Sequence, residues 1–577
     1  MSIVKNVLNV GLATAASRVL GFVRDVLAAS TLGAGPVADA FFVAFRLPNL
    51  FRRLFAEGAF NSAFVPLYAK KVGNEGAVEA KTFAEEVLAI MFWSLAIFSA
   101  VMMLMMPWLV DVLAPGFTDD PAKFDLTVSY TRICFPYLLC MSVLAVLAGV
   151  LNSNGKFGFA AWAPLLLNTI LSGALILAGA LGFAGTPTAG LYLSWAVFIA
   201  GFAQVGLLVF ILIHLKLSLR LRRPRMTPGV KRMLLLGVPG IIAGGVTQIN
   251  LVIGTMIAST MAAAVSWLYY ADRIYQFPLG MVGVAIGVVL LPELSRQLKK
   301  GDAHILSTQN RAMEFSMLLT LPAAVALIAV PHSLIAGLFE RGAFTATDTL
   351  VVGNILAAFG FGLPAFVLIK ILSPAFFARE DTKTPMMIAF FSTGVNIIVS
   401  LLLFPQFGNF LGWIITSTAS VLDSIFATSL NAKAATLAAS AMAWADALPI
   451  PHLGPVGIAI ATVIAGWMDA LYLLIVLCWR GHFQFDRLLV MRLGAIMAAS
   501  ILMGAALMWG DHYASPYMGS ANSLGIKFVA LLLLCGAGFL IYAVCVYMLG
   551  GVDRAAISDF LKKRKIRKGE APPAMDA

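Results

Sequence analysis

Charge is scarce in this chain. Asp, Glu, Lys and Arg make up 12% of its 577 residues, against 60% hydrophobic residues. A soluble domain carries about 25% charged and about 45–50% apolar residues, and even a large core buries only about three quarters of its surface. A soluble enzyme, a disordered chain and a secreted disulfide scaffold are excluded. Cysteine is scarce too: Cys134, Cys140, Cys478, Cys535 and Cys545 are odd in number, lie in apolar stretches and form no CxxC. Disulfides and thiolate metal sites are therefore not expected. The six histidines are scattered and form no HExxH. No strand-like alternation of apolar and polar residues is seen, only unbroken apolar runs, which excludes a β-barrel. The glycine-rich run 280–287 is followed by no GKS or GKT, so it is no phosphate loop. Its small residues suit close helix packing.

What is present is a series of fourteen apolar runs. They fall near 7–32, 37–69, 83–113, 126–151, 159–183, 188–213, 230–260, 264–294, 312–339, 350–377, 385–404, 455–479, 488–509 and 524–549. Each reaches the roughly 20 residues needed to cross a bilayer as a helix, and several exceed it. The reading is an all-α integral membrane protein of about fourteen transmembrane helices. Pro48, Pro66, Pro136, Pro278 and Pro292 lie inside runs and are expected kinks. The first run resembles a signal peptide but continues through Arg18 and Arg24 with no plausible cleavage site before them, so it is read as the first span.

The net charge of +12 follows from topology. With the N-terminus inside, the inner segments hold 28 of the 40 Lys and Arg residues. The outer segments hold five: Lys123, Arg132, Arg341, Lys433 and Lys527. That asymmetry supports both termini in the cytoplasm. No basic patch is interleaved with aromatic residues, so nucleic acid is not a partner. The basic tail 562–568 suits a topology signal or contact with anionic membrane lipid.

The chain also repeats itself at an offset of about 226 residues. Pro66 falls on Pro292 and Gly116 on Gly342; with small drifts Pro107 meets Pro331, Lys156 meets Lys383, and Asn168 meets Asn396. Six spans per copy leave the copies parallel, a transporter-type architecture with a central cavity and two further helices. The expected division is 1–215 for helices 1–6, 216–480 for helices 7–12, and 481–577 for helices 13–14 and the tail. Residues 405–454, rich in Ala and Ser, form an outer-face insertion.

Charges inside the spans are the most informative feature. The first span carries Ser17, Arg18, Arg24 and Asp25; the second carries Asp39, Arg46, Asn49, Arg52, Arg53 and Glu57; the eighth carries Asp272 and Arg273. On insertion scales each charge facing lipid near the bilayer centre costs roughly 2.5–3.5 kcal/mol. These groups must pair, line a wet cavity or reach an interface. Ser17 and Arg24 are in helical phase, as are Arg18 and Asp25, and Asp39, Arg46, Arg53 and Glu57 share a stripe up to the break at Pro48. Spacing alone does not decide between Arg52 and Arg53. Six arginines oppose four carboxylates. A surplus of planar guanidinium forks, with no catalytic base and no metal set, suits a phosphate or diphosphate ligand. Structural ion pairs and snorkelling side chains are the alternative. Asn250, Asn396, Ser400 and Thr462 offer oxygens for a small cation, and Asp469 is the only carboxylate in the last span of this half.

Three segments carry a resemblance. SRVLGFVRD (17–25), ADAFFVAFRLPNLFRRLFAEGAFNSAFVP (38–66) and SWLYYADRIYQFPLGMVGVAIGVVLLP (266–292) strongly resemble the MurJ/MviN family, as do APGF (114–117) and REDTKTP (379–385). These are bacterial lipid II flippases of the multidrug/oligosaccharidyl-lipid/polysaccharide exporter superfamily. The resemblance implies two six-helix lobes around a cavity, two helices forming a lipid-tail groove, and transfer of lipid II to the outer leaflet of the cytoplasmic membrane by alternating access. It implies cavity positions at Ser17, Arg18, Arg24, Asp39, Arg52 and Glu57, with Arg273 on the eighth span; Ser17, Arg18, Arg24, Arg52 and Arg273 are assigned to the substrate, and Asp25, Asp39, Glu57, Asp272 and Arg53 to gating, ion pairing or orienting them. Implied partners are lipid II, membrane lipids and, as a candidate, the cell-wall synthesis machinery. No cofactor is expected; coupling to membrane potential or to a monovalent cation stays open. The family's second-lobe cation carboxylates align with Asn and Ser here, and 405–454 is longer than the family's usual connection. A related multidrug exporter would carry a carboxylate cation site and fewer arginines. A membrane polymerase acting on the same lipid would need a carboxylate in a large outer loop, where only Asp423 and Asp446 stand.

Overall fold

The computed structural model describes residues 3–53, 59–297, 302–404, 453–519 and 522–552, with a few isolated residues of 405–452. Glu57 and most of the 405–454 insertion lie outside the described residues. Among the described residues every regular element is a helix. They run α1 Ile3–Leu32, α2 Pro36–Arg52, α3 Ala59–Asn74, α4 Ala77–Leu104, α5 Met106–Leu113, α6 Pro121–Cys134, α7 Tyr137–Ser153, α8 Phe157–Ala180 and α9 Pro187–His214. The series continues with α10 Pro228–Ser259, α11 Ala264–Gln297, α12 Asp302–Ala329, α13 Pro331–Phe339, α14 Ala346–Phe377, α15 Lys383–Leu403, α16 Pro455–Trp479, α17 Arg487–Ala514 and α18 Leu524–Met548.

Each of the fourteen apolar runs is thus carried by one helix or by two joined ones. Among the described residues ten of these are long and apolar enough to cross a membrane. The other four runs are carried by α1, α2 with α3, α10 and α11, and three of them hold the charges. Proline sets several boundaries. Pro121, Pro187 and Pro228 open α6, α9 and α10, where a missing N–H costs nothing. Pro136 separates α6 from α7. Pro107 and Pro331 each stand at the start of a short helix after a break, so the pair matched by the repeat does the same work in both copies.

The chain divides into two compact units. One comprises Met1–Arg273, Phe339–Val352 and Ile397–Ala461; the other comprises Ile274–Leu338, Gly353–Asn396 and Thr462–Ala577. In the first, Phe64, Tyr68, Phe83, Val87, Leu147, Val150 and Leu208 form a core between α3, α4, α7 and α9. In the second, Met317, Leu321, Ile371, Phe376, Leu473, Met503 and Leu531 form another. There Arg492 of α17 donates to both oxygens of Glu314 on α12 at 2.8 and 2.9 Å. The REDTKTP loop of this unit is pinned as well. Asp381 accepts from Thr384 N–H and Oγ1 and from Arg480 Nη1, and these donors hold its carboxyl down to about 2.

A crossed contact joins the helix ends of the first unit. Gly33, after α1, and Gly342, before α14, both have positive φ (69° and 57°), a region open to glycine at little cost. Ala343 N–H donates to Ser30 O at 2.9 Å, so the Gly342 turn caps the end of α1. The APGF turn repeats this against α10: Gly116 N–H donates to Ser259 Oγ at 3.1 Å. A Cβ on Gly342 would collide with Ser30 O, and one on Gly116 with the backbone of Ser259 and Thr260. The repeat offset that pairs Gly116 with Gly342 therefore also pairs the helix ends they dock on.

Candidate functional site

The intramembrane charges gather in two places within the first unit. The first is a knot around Asp25. Arg24 is buried on α1, and its Nε and Nη2 donate to Asp25 Oδ1 at 3.1 and 2.7 Å. Its Nη1 donates to Asn168 Oδ1 on α8 at 3.0 Å. Asn168 in turn donates to Ser17 O at 3.0 Å, so the two in-phase residues of α1 meet on one amide. Tyr269 of α11 donates its hydroxyl to Asp25 Oδ1 at 3.0 Å. Arg273, one turn on, places Nε 3.4 Å from Asp25 Oδ2 and lies over the Tyr269 ring at 4.7 Å. Phe42 of α2 stacks on the same Tyr269 ring with centroids 3.8 Å apart. Two guanidinium groups from two helices thus share one carboxylate. The Arg273 side chain is 35% exposed, which leaves part of its fork open to a ligand.

Sequence reasoning named Ser17, Arg24, Asp25 and Arg273 but missed Tyr269 and Asn168. A lone amide in an apolar run is the signal that was available for Asn168, because such a group needs a partner inside a membrane. Replacing Asn168 by alanine is expected to leave Arg24 short of one charge-assisted bond, worth roughly 1.5–3 kcal/mol. The measurable outcome is loss of most transport, with partial retention in Asn168→Gln.

The remaining predicted residues divide. Arg18 is exposed on α1. Arg52 is half-buried and donates to Asn49 Oδ1 at 3.1 Å, whereas Arg53 is exposed, so Arg52 is the one turned against the protein. Arg46 bonds Thr255 Oγ1 of α10. Asp272 is half-buried and interacts electrostatically with Arg46.

Asp39 makes an ion pair, one of the two roles expected of it, but with a lysine and not with the arginines. It is fully buried on α2, where Oδ2 accepts from Lys123 Nζ at 2.7 Å and from Ala263 N–H at 3.0 Å, and Oδ1 accepts from Ser266 N–H at 2.8 Å. Those amides open α11, where unpaired N–H groups and the helix dipole favour a carboxylate. That lysine, Lys123, was assigned above to an outer segment; it lies in the first turn of α6 and is buried. This second place is a latch between α2, α6 and the start of α11. Beside it Trp267 Nε1 donates to Asp348 Oδ1 at 2.8 Å and Tyr270 donates to Gly33 O at 2.9 Å.

With this geometry in place the chain was compared with known proteins. The family model described as lipid II flippase MurJ matches residues 28–448. The chain belongs to the MurJ lipid II flippase family. A probable lipid II flippase MurJ of Rhizobium tropici is 45% identical over 580 residues, covering 100% of this chain and 99% of the relative. The lipid II flippase MurJ of Burkholderia cenocepacia is 39% identical over 70% of this chain and 78% of its own length. A solved lipid II flippase MurJ in an inward closed conformation superposes with a TM-score of 0.69 at 24% identity, covering 93% and 98% of the two chains. An inward-facing multidrug resistance MATE transporter reaches 0.60 at 15% identity over 80% and 94%. These two likenesses bear on the fold, and the expected all-helical exporter architecture is borne out. As a MurJ-family member the chain is a multi-pass membrane protein of peptidoglycan synthesis.

Proposed function

We propose that the chain moves lipid II from the inner to the outer leaflet of the bacterial cytoplasmic membrane by alternating access. The observation that carries the reading is the convergence of Arg24 and Arg273 on the single carboxylate of Asp25. Two forks on one acid leave a positive surplus. A diphosphate brings the missing negative charge and bidentate acceptors. Binding exchanges the internal carboxylate for the ligand's oxygens, which loosens the link between α1 and α11. Arg18 and Arg52 supply further donors, and Asp272 and Arg53 belong to gating.

In this reading both termini are cytoplasmic, residues 1–215 and 216–480 are the two lobes, and residues 481–577 hold the last two helices and the tail. The latch at Asp39 then faces the outer side. Membrane potential suits the driving role, since moving one elementary charge is worth roughly 2.3 kcal/mol per 100 mV; a monovalent cation is the alternative. The cell-wall synthesis machinery is the proposed consumer of the product.

The test is lipid II reactivity at the outer leaflet of cells depleted of this protein. Restoration by the wild-type chain is the expected outcome. No difference on re-expression would overturn the substrate assignment and move a multidrug exporter ahead.

A further inference from the structure

Lys123 takes no part in the knot and belongs to none of the sequence motifs singled out above. Its side chain is nevertheless only 6% exposed. Burying an ammonium is costly unless its charge is met. Here it is met twice, by Asp39 Oδ2 at 2.7 Å and by the face of Phe117, whose centre lies 3.8 Å from Nζ. Phe117 belongs to the APGF turn that docks on the end of α10. Asp120 fixes the first turn that carries Lys123, accepting from the Lys123 N–H at 3.2 Å.

Asp39 therefore has two kinds of partner. Lys123 comes from α6, in the same repeat copy and packed along α2. The amides of Ala263 and Ser266 come from the second copy. All four residues lie in the first compact unit; under the alternating-access reading the contact within one copy is the one kept and the contact between copies is the one released. A charged acceptor bonds amides about twice as strongly as a neutral one, so the strength of the releasable contact depends on Asp39 staying ionised and aimed.

We propose that Lys123 is a positioning residue for transport. It holds Asp39 charged and directed at the first turn of α11, which keeps the latch shut. The consequence for transport rests on the flippase reading, but the latch itself can be read without substrate.

The experiment places spin labels at Asp119→Cys and Ala262→Cys, both exposed and on opposite sides of the latch. The native cysteines are replaced by alanine, and the full chain is held in lipid nanodiscs. Lys123→Met is expected to raise the separated population roughly tenfold, the effect of weakening a charge-assisted contact. Asp39→Asn is expected to do the same, and Lys123→Met to add nothing in the Asp39→Asn protein. Lys123→Arg is expected to keep most of the closed population and of transport. An unchanged distance distribution in Lys123→Met overturns the proposal. So does a shift that adds in full to that of Asp39→Asn, because Lys123 would then act through packing alone. If Lys123→Met does not accumulate, Asp39→Asn/Lys123→Met, which leaves no bare charge, is compared with Asp39→Asn in its place. These distances are recorded without lipid II, so their failure is separate from failure of the outer-leaflet assay.

Discussion

Arg24→Ala abolishes delivery of lipid II to the outer leaflet in depleted cells, and Arg273→Ala does the same, while both proteins still reach the membrane. Arg24 makes four hydrogen bonds, two to Asp25, one to Asn168 and a longer one, at 3.5 Å, to the Tyr269 hydroxyl. Its loss strips the buried acid of its shortest ionic partner, and breaking a buried pair in this way costs about 3–5 kcal/mol. Part of that cost is structural. Arg24→Ala/Asp25→Asn removes both charges together and is expected to recover thermal stability without restoring transfer. Arg273→Ala leaves Asp25 its bonds to Arg24 and Tyr269, so its effect falls mainly on the ligand. Arg24→Lys keeps charge but not the fork, and an intermediate rate is expected. Outer-leaflet lipid II, normalised to protein level, is the measurement. Full restoration by both alanine variants would make the arginines structural and place binding elsewhere.

Gly342→Ala is expected to disable the protein without touching a charge. A left-handed backbone costs a non-glycine residue roughly 1–2 kcal/mol, and here the added Cβ also runs into Ser30 O. The turn cannot then seat on the end of α1, and the Ala343 to Ser30 bond is lost. A fall in Tm of several degrees in detergent and loss of transport are the expected results. Gly35→Ala is the control: its φ of 175° is ordinary extended backbone, and nothing stands within 4 Å of the added carbon. Equal stability and activity in the two variants would show that the turn has room the geometry denies it.

The spans were readable because hydrophobic burial acts through composition, and composition survives without knowledge of contacts. The break at Pro136 was readable because a missing N–H acts locally, whereas Pro48 and Pro66, expected to act alike, lie inside single helices. Arg24, Asp25 and Arg273 stood out because charge in an apolar run is expensive wherever its partner is. Partners themselves were harder. Helical phase gave Asp39 a face but not a neighbour, and its nearest base is 84 residues away in sequence. Lys123 falls between the apolar runs 83–113 and 126–151, so it was counted with an outer segment, though Asp120 and Pro121 are the cap and first residue of a helix that carries it inward. Tyr269 sits among other aromatic residues, and nothing in the sequence separates a ring that packs from a hydroxyl that donates to an acid.

The crossed docking of the two glycine turns is the contact pattern of a twofold dimer. Gly342 of the second copy meets the end of the first copy's opening helix, and Gly116 of the first meets the end of the second's. In an isologous interface residue i touches j on the partner while j touches i, and a true homodimer must place the same chemistry at both. Joining the copies in one chain removes that constraint. Near equivalent positions, the first copy sets an ion pair, Asp39 with Lys123, where the second sets a neutral donor on an acid, Trp267 on Asp348. Joined in one chain, the two copies need not match, and one half of the crossed docking carries a buried ion pair where the other carries an acid with a neutral donor.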